Sequence, residues 1–443
     1  MKDRKIKSVG FVGFGRSSAG VFEYLKASGD FTYTVRCPEK TEKIGGISRY
    51  FHGDAYLSGI DEDILFISPA VKRTRPELML AEAGGVILSS DAELFFEKNR
   101  GTVYAVTGSS GKSTVTALIS SMLSECGIYA PIAGNFGGGL SPYIGCDTVA
   151  AELSSFQLMY MKPRTKRAVI TNITKNHLDW HTDMEEYTRA KLNIVNGSEG
   201  VVCDFDSGLC EDTVGKIPFA VISTAHAYGE LSKITRAENY LTLISDTVYL
   251  NGKPYISLAA APRREAYNIR NYMLSAAATL GVCDADACQR AIMGFFGLAN
   301  RAELIAEHEG IRFINSSIDT SAERTEKTLS SLAQNTVVIL CGKNKGLDLS
   351  GLAAALPALT VGAVLMGDIG DEISRFLPCG YKYRFEGDFY SAVTAAADML
   401  GGSGSIILSP AGTSFDKYRN YEQRGDAFRS AVTKYINDKG CKK

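Results

Sequence analysis

The chain has 443 residues, 45% hydrophobic and 22% charged, which suits a water-soluble globular protein of two or three domains. Its 48 Lys and Arg balance 49 Asp and Glu, so no net field draws nucleic acid or an anionic membrane. Ten cysteines without a C-x-x-C argue against a zinc site or a disulfide framework. The basic, then apolar start MKDRKIKSVGFVGFG has too short an apolar run for a signal peptide, and no run approaches the roughly 20 apolar residues that cross a bilayer. A cytoplasmic protein without membrane insertion is expected.

In chain order, SVGFVGF reads as a strand, GVFEYLKASG as an amphipathic helix closed by Gly29, and DILFISP as another strand. GFGRSSAG (13–20) lies between the first strand and its helix, which invites a dinucleotide reading. Ser18 stands where the third glycine would be, however, and Arg36 where an NAD site wants an acid. A diphosphate on the helix N-terminus, with Ser17 and Ser18 as donors, survives that comparison.

The pattern restarts near residue 101 with TVYAVTG, a buried strand, followed by a loop and a helix whose Val115, Leu118, Ile119, Met122 and Leu123 share one face. Between them stand Thr107, Gly108, Ser109, Ser110, Gly111, Lys112, Ser113 and Thr114. Free N–H groups and the dipole at the helix start favour an anion there. The glycines let backbone close on phosphate, Lys112 supplies a cation and Ser113 can ligate Mg²⁺. The strict motif has Gly where this chain has Val106, and the plain alternative is a Gly/Ser turn with an incidental Lys. ATP is the expected ligand.

TVAAEL and AVITNI are further strands carrying polar residues at their C-terminal ends. In LTLISDTVYLNGKPYISL two alternating runs meet at Asn251-Gly252, a hairpin signal, so this sheet is mixed. NYMLSAAATLGV is a helix with Gly281 near its end; FINSSI, TVVILCG, AVLMGD and SIILSPAG begin a third series, with helical stretches such as RTEKTLSSLAQ between them. The expected fold is α/β with three domains: a Rossmann-like domain at 1–98, a central P-loop ATPase-type mixed sheet at 99–300, and a Rossmann-like domain at 301–443.

GNFGGGL (134–140), AAELSSFQL (150–158), TNITKNHLDWH (171–181) and YTRAKLNIV (187–195) follow in an order that resembles the Mur ligase family. LSPAGTSFDKYRNYEQRGDAF (408–428) looks most like the member that adds D-glutamate to UDP-N-acetylmuramoyl-L-alanine. The resemblance implies an ATP-dependent amide ligase of peptidoglycan precursor synthesis working through an acyl phosphate with Mg²⁺; two ions and a monomer are expected. It implies that Glu152 and His177 bind metal with Ser113, and that Lys191 is carbamylated into an anionic metal ligand. The catalytic residues so implied are Lys112, His177 and Lys191. Singly, each has a plainer reading: a capping carboxylate, a loop histidine, an exposed helix lysine.

Asn268 and Asn271, on one helix face, and Arg301 match residues that hold the nucleotide. Tyr267 stands where the family commonly has His, and Ala299-Asn300 where it often has Pro-His. The resemblance gives Ser68 and Asn135 to the UDP substrate, and Lys345, Ser414 and Tyr421 to the incoming amino acid. NSSIDTS (315–321) occupies a motif usually written N-D-S-K-A-T-N. It keeps Asn315, Ser317 and the substrate-side Thr320 but replaces Asp and Lys by Ser316 and Ile318, with Asp319 as a possible compensating charge. The family's uracil-contacting Asp is absent from the Val35-Arg36 region.

Overall fold

Ile64–Ile67 is buried throughout, and Ser8–Val12 and Thr32–Arg36 are buried at four of their five positions, the signature of parallel strands covered on both faces. They build a five-stranded, wholly parallel sheet in the order Arg49–Phe51, Thr32–Arg36, Ser8–Val12, Ile64–Ile67, Ile87–Ser89. The computed structural model describes residues 6–178, 180–332, 335–344, 346, 348–414 and 416–440.

The second sheet has nine strands. At its centre lie Thr165–Ile170, Thr102–Thr107 and Thr148–Glu152, all parallel, so their C-terminal ends share one edge. Thr102–Thr107 runs into the helix Lys112–Glu125, whose Val115, Leu118, Ile119, Met122 and Leu123 are all fully buried, as the 3.6-residue period predicts. The far end is antiparallel: Asn239–Ile244 pairs with Thr247–Leu250, and that strand with Lys253–Ser257. Three strands therefore stand where the sequence shows two runs. The Asn251-Gly252 turn has the two positive φ values (50° and 80°) of a type I′ hairpin. The other turn, at Ser245-Asp246, holds Ser245 at φ 53° and carries no glycine to announce it.

The third sheet has six strands, in the order Glu303–His308, Ile311–Asn315, Gly404–Ala411, Thr336–Cys341, Gly362–Leu365, Tyr383–Phe385. The four inner strands are those expected from the sequence. The two edges are additions: Glu303–His308 is antiparallel and half-exposed, and Tyr383–Phe385 is exposed at all three positions, so neither presents a buried apolar run.

The chain divides into two compact units, Met1–Phe295 and Phe296–Lys443. The first holds two sheets because the segments carrying them pack closely. Asp91 accepts the Leu140 N–H at 2.7 Å and the Ser141 N–H at 2.8 Å, and burial pushes its carboxyl up against the pull of those donors. Gly20, in the helix Arg16–Ser28, lies so near the Ser141–Tyr143 turn that a Cβ would stand 2.9 Å from Ser141 Oγ. A change of sheet, rather than a loss of packing, marks the join read near residue 99. No helix among the described residues is long and apolar enough to cross a membrane.

Candidate active site

The loop 107–111 leaves the buried strand Thr102–Thr107 and enters Lys112–Glu125 through Gly111, whose φ of 79° favours glycine. Gly108 is as constrained: the Thr171 hydroxyl fills the space a Cβ would need. A neighbouring loop clamps this turn. Ser109 N–H donates to the Asn172 carbonyl at 2.9 Å, Ser110 N–H to Asn172 Oδ1 at 3.1 Å, and Thr171 Oγ1 to the Ser110 carbonyl at 2.5 Å. Ser109 Oγ also donates to the Thr174 carbonyl at 3.0 Å and lies 2.9 Å from the Tyr187 hydroxyl. Lys112 curls over the loop, its Nζ donating to the Gly108 carbonyl at 3.0 Å and to that of Ser109 at 3.3 Å. Thr107 donates its hydroxyl to the Leu153 carbonyl at 2.8 Å, so its side chain secures the strand end; Thr114 is half-buried on the helix.

Glu152 ends the adjacent strand Thr148–Glu152 and is buried. Its Oε2 accepts from Ser113 Oγ at 2.6 Å and its Oε1 from Asn135 Nδ2 at 2.7 Å. Lys191, on the helix Met184–Leu192, is buried and donates to the Gly108 carbonyl at 2.7 Å. Burial, aided by the Lys112 charge and opposed by Glu152, pulls its amine down to about 6, far below an ordinary lysine. His177 holds a φ of 54°, is exposed, and stands 5.0 Å from the Phe156 ring and 6.4 Å from the Tyr187 ring, measured between centroids. Residues far apart in sequence therefore meet at one turn: Ser113 with Glu152, and Gly108 with Lys191.

The donor set decides what metal the turn suits. Ser113 Oγ and the Glu152 carboxylate are hard oxygen donors side by side, the kind Mg²⁺ takes while keeping phosphate oxygens and waters in its shell. Among the described residues no three His, Cys, Asp or Glu side chains are grouped as a metal site.

On the helix Ala266–Thr279, Asn268 and Asn271 are both buried but diverge in use. Asn271 abuts the phosphate loop, where a Cβ on Gly111 would stand 2.6 Å from its Oδ1; Asn268 donates to Glu265 Oε2 at 2.9 Å.

In the five-stranded sheet, Ser17 is half-buried in the first turn of Arg16–Ser28, and the Ser18 hydroxyl donates to the Gly13 carbonyl at 2.8 Å. What Ser18 offers an anion is thus its N–H, not its hydroxyl. Ser68 packs on the same turn: a Cβ on Gly13 would stand 2.9 Å from Ser68 Cβ. Arg36 is fully buried and pairs with Glu62 at 3.0 Å while donating to the carbonyls of Tyr56, Ser58 and Gly59. It is a structural ion pair, with no donor left for a ligand.

In the second unit, Arg301 is exposed on a turn whose neighbour Asn300 is buried at φ 61° and accepts from Asn315 Nδ2 at 2.8 Å. Asp319 is buried and accepts from Ser409 Oγ at 2.8 Å, and burial pushes its carboxyl up. That places Asp319 among core partners, not on an open face where it could replace a lost charge. Thr320 is half-buried, its N–H donating to the Ile318 carbonyl at 2.9 Å. Ser414 is buried and its carbonyl accepts the Tyr418 N–H at 2.9 Å; Tyr421 begins the helix Tyr421–Gly440 and its carbonyl accepts from Ser317 Oγ at 2.8 Å. Lys345 lies outside the described residues.

Reading the sequence singled out neither Asn172 nor Tyr187, although both lie within segments that it drew attention to; polar residues just beyond a strand end opposite the phosphate loop were the available signal. It also missed Arg424, which is fully buried and donates to the Ser317 and Gly412 carbonyls at 2.8 and 2.9 Å.

Residues 106–279 match the model of the Mur ligase middle domain. The chain is 32% identical to a UDP-N-acetylmuramoylalanine–D-glutamate ligase of Ruminiclostridium cellulolyticum and 31% identical to one of Acetivibrio thermocellus, each over 97% of both chains. Among solved structures, UDP-N-acetylmuramate-alanine ligase from Thermotoga maritima aligns over 99% of this chain and 100% of its own at a TM-score of 0.59 and 18% identity, a likeness of fold. A phosphate loop wired to a buried Glu and a buried Lys, inside a middle domain that matches by sequence and with relatives this similar from end to end, leaves one conclusion: the chain belongs to the Mur ligase family.

Proposed function

We propose that this enzyme joins D-glutamate to the carboxylate of UDP-N-acetylmuramoyl-L-alanine, converting ATP to ADP and phosphate. The observation that carries the reading is the end-to-end similarity to ligases of that name, together with the Ser113–Glu152 and Lys191–Gly108 contacts on one phosphate loop. A carboxylate oxygen attacks the γ-phosphorus, the bond to the ADP oxygen breaks, and an acyl phosphate results. The amine of D-glutamate then adds to the acyl carbon, phosphate leaves, and the amine's proton is lost to solvent or base.

The chain's own groups account for the electrostatics of the first step. Two anions must approach, and the loop N–H groups and Lys112 offset the charge that grows on the transferred phosphoryl group. Bound Mg²⁺, held through Ser113 and Glu152 with His177 at the rim, would neutralise phosphate charge. Burial favours the neutral amine of Lys191, which is the form that combines with CO₂, releasing a proton, to give a carbamate. Asn271 and Arg301 serve the nucleotide, Ser17, Ser18, Ser68 and Asn135 the UDP-sugar, and Thr320, Lys345, Ser414 and Tyr421 the amino acid. The enzyme works as a cytoplasmic monomer.

The test is phosphate release with matched substrates. Release with UDP-N-acetylmuramoyl-L-alanine that requires D-glutamate, and not L-alanine or a diamino acid, is the expected result. Release with another pair, or with none, would overturn the assignment.

A further inference from the structure

The loop after the strand Ile64–Ile67 is pinned at both ends. Ser68 N–H donates to the Val12 carbonyl at 2.9 Å. Arg73 pairs with Glu93 through its guanidinium, which lies 4.5 Å from the Tyr160 ring, and its backbone N–H donates to the Tyr160 hydroxyl at 3.3 Å. Between these anchors Lys72 is half-buried, and its ammonium sits 5.3 Å from the Trp180 ring centroid. Arg73 and Arg75 each have a carboxylate partner; Lys72 has none among the described residues.

Trp180 ties this loop to the chemistry. Its ring is 4.8 Å from Phe156, which is 5.0 Å from the His177 ring, and its backbone N–H donates to the His177 carbonyl at 3.1 Å. His181, buried behind Phe156 and 2.9 Å from Ser155 Oγ, has its imidazole pKa lowered chiefly by burial, against the neighbouring Glu186 at 3.4 Å, and the charges of Lys191 and Lys72 lower it further. A cation stacked on an indole is pre-oriented but keeps its N–H donors for a partner. Lys72 therefore brings a positive charge from the five-stranded sheet to the side of the phosphate loop that carries His177 and Lys191.

We propose that Lys72 binds the reacting carboxylate of the UDP-sugar substrate, holding it for attack on the γ-phosphorus. The proposal rests on the ligase reading above and adds to it a specificity residue outside the phosphate loop. A charged hydrogen bond of this kind also sets apart a substrate with a free carboxylate from UDP alone.

Trp180 is the chain's single tryptophan, so its fluorescence reads the site without turnover. Titrations with UDP-N-acetylmuramoyl-L-alanine and with UDP, in Mg²⁺ and a non-hydrolysable ATP analogue, compare the wild type with Lys72→Met and Lys72→Arg. Lys72→Met is expected to weaken the carboxylate ligand about tenfold or more while UDP changes less than about twofold; Lys72→Arg keeps most of the affinity. Equal weakening of both ligands would put the cation on the diphosphate and overturn the proposal, as would unchanged affinity for both. If Lys72→Met melts early, Lys72→Arg decides: loss of carboxylate-selective binding despite a retained charge overturns the assignment. Failure of the ligase reading is separate, because the wild type would then bind neither ligand and form no product.

Discussion

Lys191 shows what one buried residue contributes to this site. Its surroundings make the ammonium form unfavourable, with burial as the leading cause, so the folded chain releases a proton that the unfolded chain keeps up to the ordinary lysine range. The sign follows: between about pH 6 and 10 the unfolded state binds more protons, and this group's contribution to stability rises with pH, by at most about 1.4 kcal/mol per pH unit. Below about pH 6 both states are protonated and that slope vanishes. Unfolding midpoints of wild type and Lys191→Met at pH 6.5 and 8.5 check this: the wild type should gain more on going to the higher pH, and parallel changes would contradict it. Glu152 works through its contact with Ser113. Replacing it with Gln, which keeps the shape but removes the charge beside Ser113, should lower kcat by about 10²-fold or more. A steady-state assay with saturating substrates measures that loss, and an unchanged kcat would remove Glu152 from the site.

Among the elements, the strand–loop–helix at 102–125 was the most legible in the sequence, because a buried strand, two glycines and a 3.6-residue apolar face all point to one structure. The order of Glu152, His177 and Lys191 was legible through family resemblance, but not what each touches. The partner of Arg36 was hidden. Glu62 lies 26 residues away with no periodic relation to it, and only the turn of the sheet brings the two together. A lost recognition residue at this position is in fact a buried ion pair. Arg36→Met leaves Glu62 buried and unpaired and should cost about 3–5 kcal/mol of stability in a denaturant titration. Adding Glu62→Leu should restore much of that, since an apolar pair removes the orphan charge; a single variant as stable as the wild type would contradict the account. The Ser245-Asp246 turn and the two edge strands escaped for a different reason: no glycine marks the one, and no buried run marks the others.

At the scale of the molecule, composition and the βα alternation foretold three sheets, but not that two of them share one compact unit. Among the contacts that join them, those of Asp91 with the N–H groups of Leu140 and Ser141 link segments that look independent in sequence. Each unit has its own hydrophobic clusters, so unfolding should depart from a two-state transition, with a calorimetric enthalpy exceeding the van 't Hoff value. Equal enthalpies would show the whole chain melting as one.

The central claim is that the phosphate loop passes the γ-phosphoryl group of ATP to a carboxylate oxygen. Turnover of UDP-N-acetylmuramoyl-L-alanine labelled with ¹⁸O in that carboxylate, with D-glutamate and ATP, tests it by mass spectrometry of the released phosphate. The account predicts one labelled oxygen in each phosphate formed; phosphate free of label alongside normal amide product would contradict it.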